Sequence, residues 1–363
     1  MDKEDILELS LNEQYEDFIE LLMRCYIEGK HFIAMSPRTL NLIIKSTNKT
    51  NLINKLNAYK SDYNTSSLSF LKLASHVCQI KPGNGYNSII DDGITFLQIG
   101  IDHFLDSSAF QKTILLCENI NDCDFFEIIG KNYLRINGIN TSMLKFNPQG
   151  GGGSTIQKEY SKIYSSHENF CLCIVDSDIK YPGGKEGSTS SNLFKFIKKN
   201  NENLKIFAEV LSVHEIENLI PRKFYIKNYE DKGRTWKGNY YLIDKLFYKN
   251  SINQKHFDFK QGLKRLSLVN QEVDHQKLTP NTYNQQSKEI YWIKEILANS
   301  IPLKEDNYYV YGYGEKILED FIKYENLEEI VEEIKYDLVY NNWLIIGRII
   351  YSFCLGNSKK FAV

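Results

Sequence analysis

Two pairs of acidic residues follow short apolar segments in this sequence. Glu118 and Asp122 come just after the segment Thr113–Cys117, and Asp176 and Asp178 come just after a later one. Carboxylate oxygens are the ligands that Mg²⁺ and Mn²⁺ prefer in proteins. Divalent ions held in this way neutralise the charge of a phosphate group and generate hydroxide near neutral pH, which is the chemistry of phosphodiester hydrolysis. We therefore expect these four side chains to meet around a shared cation.

Such a meeting needs a fold that brings distant strand ends together. Residues 112 to about 220 alternate helical segments with apolar ones, and the apolar segments are Thr113–Cys117, Ser142–Phe146, Phe170–Val175 and Leu204–Leu211. Continuous apolar strands are buried on both faces, as in a parallel sheet. The pattern predicts a doubly wound, Rossmann-like α/β domain with a parallel sheet, in which sites lie at the carboxyl ends of the strands.

The regions on either side of this domain are predicted to be mainly helical. Apolar residues recur at helical spacing from Tyr15 to Tyr26, and Ile94–Leu105 and Lys288–Ala298 are also typical of helices. Trp343–Leu355 is too short to span a bilayer and is predicted to be a buried C-terminal helix. We accordingly divide the chain into an N-terminal helical region, an α/β domain and a C-terminal helical region, at 1–110, 111–225 and 226–363.

Each acidic residue has a purely structural explanation when it is taken alone. Asp122 is in the position of a helix N-cap, a place where Asp is preferred. Asp176 and Asp178 are typical turn residues. The position of all four residues at or just past strand ends favours the functional interpretation of the set.

Composition leaves the class of partner open. The 363-residue chain has a net charge of −2 and a pI near 6.4, which neither supports nor excludes binding to a nucleic acid, since a local basic patch can suffice. Its seven cysteines form no CxxC pair, which fits a reducing compartment and argues against a structural zinc site. No signal peptide is recognisable, so we expect a cytoplasmic protein without a membrane anchor.

Three segments resemble the motifs of toprim nucleases. The stretch Ile114–Phe126 (ILLCENINDCDFF) is similar to the first toprim motif, and Cys171–Asp178 (CLCIVDSD) is similar to the second, a strand that ends in Asp-x-Asp. Val213–Pro221 (VHEIENLIP) resembles the acidic segment of toprim nucleases of the overcoming-lysogenization-defect (OLD) kind. The pattern is also similar to small toprim proteins of bacterial anti-phage defence, including the toprim effector of the PARIS system.

The resemblance implies a toprim fold for the α/β domain and a role for each matched residue. Glu118 would bind metal and serve as the catalytic base, and Asp122, Asp176 and Asp178 would be metal ligands. The pair Glu215 and Glu217 would complete a second metal site. The implied cofactor is Mg²⁺ or Mn²⁺, with two ions.

A lysine beyond the acidic motifs is the second candidate catalytic residue. OLD-type nucleases use such a lysine to stabilise charge in the transition state. Lys260, in the segment Phe257–Leu263 (FDFKQGL), is the candidate, and an ordinary surface lysine is the alternative.

The chain also departs from the toprim pattern. Asn119 stands where a glycine usually follows the first Glu, and no ATPase motif of the form GxxxxGK[ST] occurs, although OLD proteins carry an ATPase domain. The resemblance covers about a third of the chain. It implies a nuclease acting on DNA or RNA, a toxic effector with a partner ATPase encoded nearby, and it leaves a homodimer open.

Two glycine-containing segments are weaker signals. Gly150–Gly153 precedes a helical segment, where backbone amides attract anions, and both a phosphate contact and a surface loop fit it. Tyr311–Gly314 contains a lone GxG, which by itself indicates no function.

Two other functions remain open on the sequence alone. An apolar strand that ends in Asp-Ser-Asp also occurs in glycosyltransferases and nucleotidyltransferases, although that interpretation gives Glu118 and Asp122 no role. A non-catalytic regulator on a toprim-like scaffold is the other alternative, and it predicts that Asp176→Asn leaves biological activity intact.

Overall fold

A computed structural model describes the chain as two compact units. The described residues are 15–62, 70–139, 142–200, 202–232, 254–264 and 308–357. The first unit takes in the described residues of 1–174, 195–209 and 344–363, and the second unit those of 175–194 and 210–343. Because these units interleave along the chain, the three predicted domains stay a prediction.

The described part of the first unit starts with three helices. They are α1 (Tyr15–Glu28), α2 (Pro37–Ser46) and α3 (Thr50–Asp62). The helical spacing predicted from Tyr15 to Tyr26 buries one face of α1, including the fully buried Phe18. Ser36 caps α2 by accepting a hydrogen bond from the backbone N–H of Thr39 at 3.0 Å.

A three-stranded sheet follows these helices, in a region that the sequence predicted to be mainly helical. Its strands are β1 (His76–Lys81), β2 (Tyr86–Asp91) and β3 (Ile94–Gly100), in the order β1-β3-β2. The helix predicted over Ile94–Leu105 is therefore wrong. Asp92 and Gly93 both have positive φ, at 45° and 71°, and join β2 to β3 as a two-residue hairpin turn. The Asp-Gly turn overrides the apparent helical periodicity.

The predicted parallel sheet is present and has four strands. They are β6 (Phe146–Gly150), β4 (Thr113–Cys117), β7 (Cys171–Val175) and β8 (Ile206–Val210), in that order. The strand β4 pairs in parallel with both β6 and β7, and Cys117 lies opposite Ile174. Every residue of β7 is buried, as a continuous apolar strand requires. The mixed α/β architecture with a parallel sheet is confirmed, and the toprim identity stays a prediction.

Three helices belong to the connections of this sheet. They are α4 (Ile120–Ile136), α5 (Ile156–Ser166) and α6 (Ser188–Lys199). The short strand β5 (Ser142–Leu144) pairs in antiparallel fashion with β11 (Leu355–Asn357) and lies outside the parallel sheet. The prediction that Ser142–Phe146 is a strand of that sheet is therefore wrong, because the sheet strand β6 starts only at Phe146.

The apolar segment near the C-terminus forms the helix that the sequence predicted. This is α10 (Tyr340–Cys354), which buries Trp343, Ile350 and Tyr351. Among the described residues, no helix is both long enough and apolar enough to cross a membrane.

In its described residues, the second unit contains short helices and one antiparallel strand pair. The helices are α7 (Arg222–Lys232), α8 (Ile317–Ile322) and α9 (Leu327–Glu332), and the strands β9 (Gly262–Lys264) and β10 (Tyr308–Tyr311) pair with each other. Phe224, Phe257 and Phe259 are buried in this unit. The strand pair lies in a region that the sequence predicted to be mainly helical, and the predicted helix Lys288–Ala298 lies outside the described residues.

Candidate acidic site

In the first unit, Glu118 directly follows β4, as predicted. The glycine run Gly150–Gly153 is hydrogen-bonded to this strand end. The N–H of Gly151 donates to the carbonyl oxygen of Cys117 at 2.7 Å, and the N–H of Gly152 donates to the carbonyl oxygen of Glu118 at 3.0 Å. Because these two amides are bonded to backbone oxygens, the run positions the end of β4. Of the two interpretations of the glycine run, the loop is the one this geometry favours.

Asp122 takes part in a helix cap in the first unit, as the N3 residue and not as the N-cap that the sequence predicted. Its Oδ2 accepts a hydrogen bond from the backbone N–H of Asn119 at 2.8 Å, which forms half of a capping box at the start of α4. The side chain is buried, with 9% of the residue exposed. Asp122 therefore has a structural role whether or not it also binds a metal.

In the second unit, the Asp-Ser-Asp segment is hydrogen-bonded to the residues that precede Glu215. The N–H and Oγ of Ser177 both donate to the carbonyl oxygen of Val213, at 3.3 and 2.6 Å. The N–H of Asp178 donates to the carbonyl oxygen of His214 at 3.0 Å. Two motifs that are about 40 residues apart in the sequence are thus brought side by side.

Gly187 fixes the backbone around Asp178. Asp178 has a positive φ of 55°, and a Cβ placed on Gly187 would lie 2.1 Å from Asp178 Oδ2. The N–H of Gly187 also donates to the carbonyl oxygen of Ser177 at 2.9 Å. Only glycine permits so close an approach, and a glycine in a Gly- and Ser-rich loop gave no sign of this contact in the sequence.

Lys260 contacts both glutamates of the third motif. Its Nζ lies 3.2 Å from Glu217 Oε1 and 3.6 Å from Glu215 Oε1. The exposed fraction of the side chain is 23% for Lys260, 19% for Glu215 and 4% for Glu217, so the ion pairs are largely buried. Lys260 is therefore not an ordinary surface lysine.

The turn that carries the glutamates also holds the lysine segment. Asn218 Nδ2 donates to the carbonyl oxygens of Gln254 and Phe257, at 2.5 and 2.8 Å. Its Oδ1 accepts a hydrogen bond from the backbone N–H of Glu215 at 2.8 Å. One buried amide thus connects the acidic turn to the chain that leads to Lys260.

Burial and charge shift the pKa values of this cluster. Burial raises the pKa of Glu215 to about 7, against the opposing charge of Lys260. Burial likewise raises the pKa of Glu217. For Lys260, burial acts to lower the pKa, but the charges of Glu217, Glu215 and Asp176 outweigh it and the pKa is raised. Asp176 thus lies within electrostatic range of the lysine, and the cluster holds more carboxylates than cations.

His214 lies beside this cluster and has a lowered pKa. Burial is the main cause, and the charge of Lys260 adds to it. Its backbone N–H donates to the carbonyl oxygen of Lys255 at 2.6 Å. Its ring Nδ1 is buried and has no hydrogen-bond partner among the described residues.

The predicted metal ligands fit Mg²⁺ or Mn²⁺ by type but are not gathered as a coordination group. All of them are carboxylates, the ligands that these ions prefer. Glu215 Oε2 and Glu217 Oε2 are buried and accept no hydrogen bond from the described residues. Among all the described residues, no three His, Cys, Asp or Glu side chains are arranged to hold one metal ion. Lys260 supplies the positive charge at the glutamate pair.

The predicted site residues therefore fall into two groups. Glu118 and Asp122 belong to the first unit, where each follows or caps a predicted element. The residues of the second unit are Asp176, Asp178, Glu215, Glu217 and Lys260. The structure brings this second group together, and we call it the Lys260 cluster. The Lys260 cluster is the candidate site.

Comparisons with protein-family models, with curated proteins and with solved structures find no match to this chain. The resemblance to toprim nucleases thus stays a prediction from the three motifs. Physical support for a function comes from the Lys260 cluster itself.

Proposed function

We propose that this chain is a metal-dependent nuclease that hydrolyses phosphodiesters in DNA or RNA. The observation that carries the proposal is the convergence on Lys260 of two acidic segments from distant parts of the sequence. Asp176 contributes to the electrostatic field at the lysine, and Glu215 and Glu217 contact it. A buried cluster of carboxylates and a lysine is the chemistry that a phosphodiester hydrolase needs.

The residues of the second unit suggest a division of labour. Asp176 and Asp178 would hold Mg²⁺ or Mn²⁺, which when bound supplies positive charge and lowers the pKa of water. Lys260 would stabilise the negative charge that develops on the phosphate group during bond cleavage. Glu118 keeps the role of catalytic base that the resemblance implies.

The loop after Asp178 offers a place for the substrate backbone. Lys180 and Lys185 are both exposed on this loop, in the same unit as Asp178. Lysines near a nucleic-acid backbone contribute to affinity through phosphate contacts, without reading the base sequence. A nuclease with this surface would select its substrate mainly by charge and shape.

The Lys260 cluster favours a nuclease over the two alternatives. A transferase of the Asp-x-Asp kind uses the segment Asp176–Asp178 but gives the buried glutamates and Lys260 no role. A non-catalytic regulator has no use for several carboxylates buried around one lysine, because burying charge is costly.

A cleavage assay tests the proposal. Purified protein is incubated with plasmid, single-stranded DNA and tRNA, in Mg²⁺, Mn²⁺ or EDTA. We expect cleavage of at least one substrate with either metal and none with EDTA. Asp176→Asn and Glu118→Ala should each lower the rate on the order of 100-fold.

The matched control is Glu186→Gln, which removes an exposed carboxylate from the loop near Asp178. It should cleave at the wild-type rate. Cleavage that persists in EDTA, or that survives Asp176→Asn unchanged, would contradict the proposal.

We extend the proposal to a role for this nuclease in anti-phage defence. The chain would act in the cytoplasm as a toxic effector restrained by a partner ATPase until a phage is sensed. Expression with the neighbouring genes, with and without phage, should then change toxicity in a manner that depends on Glu118. Toxicity that is unaffected by Glu118→Ala would argue against it.

A further inference from the structure

Lys260 is fixed by the backbone of a distant segment. The N–H of Gly314 donates to the carbonyl oxygen of Lys260 at 3.0 Å, and the N–H of Tyr313 donates to that of Phe259 at 2.7 Å. A Cβ placed on Gly312 would lie 2.0 Å from the carbonyl oxygen of Lys260. Because only glycine fits there, the lone GxG of Tyr311–Gly314 holds the lysine backbone in place.

The other side of the lysine segment is equally constrained. Asn218 bonds to the carbonyl oxygens of Gln254 and Phe257, and Phe257 and Phe259 are almost fully buried. Lys260 therefore extends from a backbone that is held on two sides. From this backbone its ammonium group contacts both Glu215 and Glu217.

This geometry affects how many metal ions the site can take. A divalent ion bound by both glutamates would have to share their carboxylates with an ammonium group that lies 3.2 and 3.6 Å from them. Two cations so close in a largely buried place repel each other strongly. If the ammonium group moved away, the buried carboxylate of Glu217 would lose the cation that contacts it, and an unpaired buried charge is costly.

We infer that Lys260 is the resident cation of the Glu215–Glu217 pair and takes the place of a second metal ion. The site then binds one divalent ion and not the two that the resemblance implies. Gly312 is a positioning residue that presents the lysine to the glutamates. The count of one ion rests on the proposed function, whereas the exclusion of metal from the glutamate pair does not.

The test is a count of bound Mn²⁺ by native mass spectrometry and isothermal titration calorimetry on the full chain. Wild type and Lys260→Met are compared, with Lys316→Met as the control because Lys316 is an exposed lysine of the same unit. We expect one ion for wild type and for Lys316→Met, and two for Lys260→Met. Adding Glu217→Gln to Lys260→Met should return the count to one.

Each other outcome has a definite meaning. One ion in both wild type and Lys260→Met, or two ions in wild type, would overturn the inference and leave the nuclease proposal standing. No ion in wild type and one in Lys260→Met would support the inference and count against a metal-dependent nuclease. No ion in either protein would overturn both.

Two further variants guard against a folding defect. Lys260→Arg keeps the charge and should still bind one ion. If Lys260→Met does not fold, as judged by circular dichroism, Gly312→Ala replaces it, since the added methyl group displaces the lysine backbone. Gly312→Ala should gain a second ion, and an unchanged count would again overturn the inference.

Discussion

Two turns in this protein have the same capping geometry and use their acidic residues differently. In the first unit, Asn119 is the N-cap and the carboxylate of Asp122 bonds back to its N–H at 2.8 Å. In the second unit, Glu215 is the N-cap and the amide of Asn218 bonds back to it at 2.8 Å. In the second turn an amide bonds back to the N-cap residue, and Glu217, which is not one of the two capping-box residues, contacts Lys260. Acids at motif spacing are therefore not equivalent, and their local hydrogen bonds separate them.

The two units also differ in the charge state of a partly buried titratable group. In the first unit, burial and the nearby charge of Arg348 lower the pKa of His76 to about 4, so the ring is neutral near pH 7. Its ring packs against Phe207 and Phe353, with centroids 4.4 and 5.4 Å away. In the second unit, Lys260 keeps its charge because carboxylates surround it. Four variants sharpen this contrast.

Lys260→Met should have the largest effect on stability. It leaves Glu215 and Glu217 buried without a cation, and removal of one partner of a buried ion pair costs about 3–5 kcal/mol. We place the loss at about 3 kcal/mol, because the side chains of Lys260 and Glu215 are partly exposed. Urea unfolding at pH 7 measures it.

The control for this prediction is a second substitution at the same pair. Glu217→Gln added to Lys260→Met removes one uncompensated charge and should recover part of the lost free energy of unfolding. A change below about 0.5 kcal/mol for Lys260→Met would mean that the cluster is not a buried charge network.

Gly312→Ala should destabilise the second unit by about 2 kcal/mol, since the methyl group overlaps the carbonyl oxygen of Lys260 and the backbone must shift. Gly85→Ala is the matched control, because a Cβ there meets nothing within 4 Å and φ is ordinary. The control should change stability by less than about 0.5 kcal/mol. Equal effects of the two substitutions in urea unfolding would contradict the packing argument.

The lowered pKa of His76 predicts that the free energy of unfolding of the first unit depends on pH. An unfolded histidine takes up a proton near pH 6.5, whereas folded His76 does so only near pH 4. Lowering the pH through this window stabilises the unfolded chain, so the free energy of unfolding falls. We expect His76→Phe to reduce the loss between pH 7 and pH 4.5 by about 1–2 kcal/mol, allowing for solvent screening of a ring that is not fully buried. An unchanged pH profile would mean that the ring takes up its proton as readily in the folded chain as in the unfolded one.

Asp122 should show the smallest effect. Asp122→Ala removes the cap bond to Asn119 and should cost about 1 kcal/mol, whereas Asp122→Asn keeps an acceptor oxygen and should cost less than half of that. Thermal and urea unfolding of both variants measure the difference. If both substitutions cost the same, the charge of Asp122 and not its cap bond would be what matters.

Local patterns predicted the parallel sheet, because β4 and β7 are continuous apolar runs that end in acids. They missed the hairpin at Asp92–Gly93, because the Asp-Gly turn and not the apparent helical spacing determines the local structure. The motifs also singled out Lys260 and the glutamates separately. Their contact could not be predicted, because it depends on long-range backbone packing.

Gly312 shows this limit most clearly. Its neighbour, the carbonyl oxygen of Lys260, is about 50 residues away in the sequence, and a lone GxG carries no sign of it. In the same way, the bond from Asn218 to Phe257 joins segments that no spacing rule connects. Residues that position a site across the chain emerge only from the folded structure.

The most direct test is the rate at which Lys260 variants cleave the substrate identified for wild type, at a temperature where all remain folded. The account predicts that Lys260→Met is slowed on the order of 100-fold, that Lys260→Arg keeps part of the rate, and that Lys316→Met matches wild type. A Lys260→Met protein that cleaves within about twofold of wild type would contradict the placement of the reactive site at the Lys260 cluster.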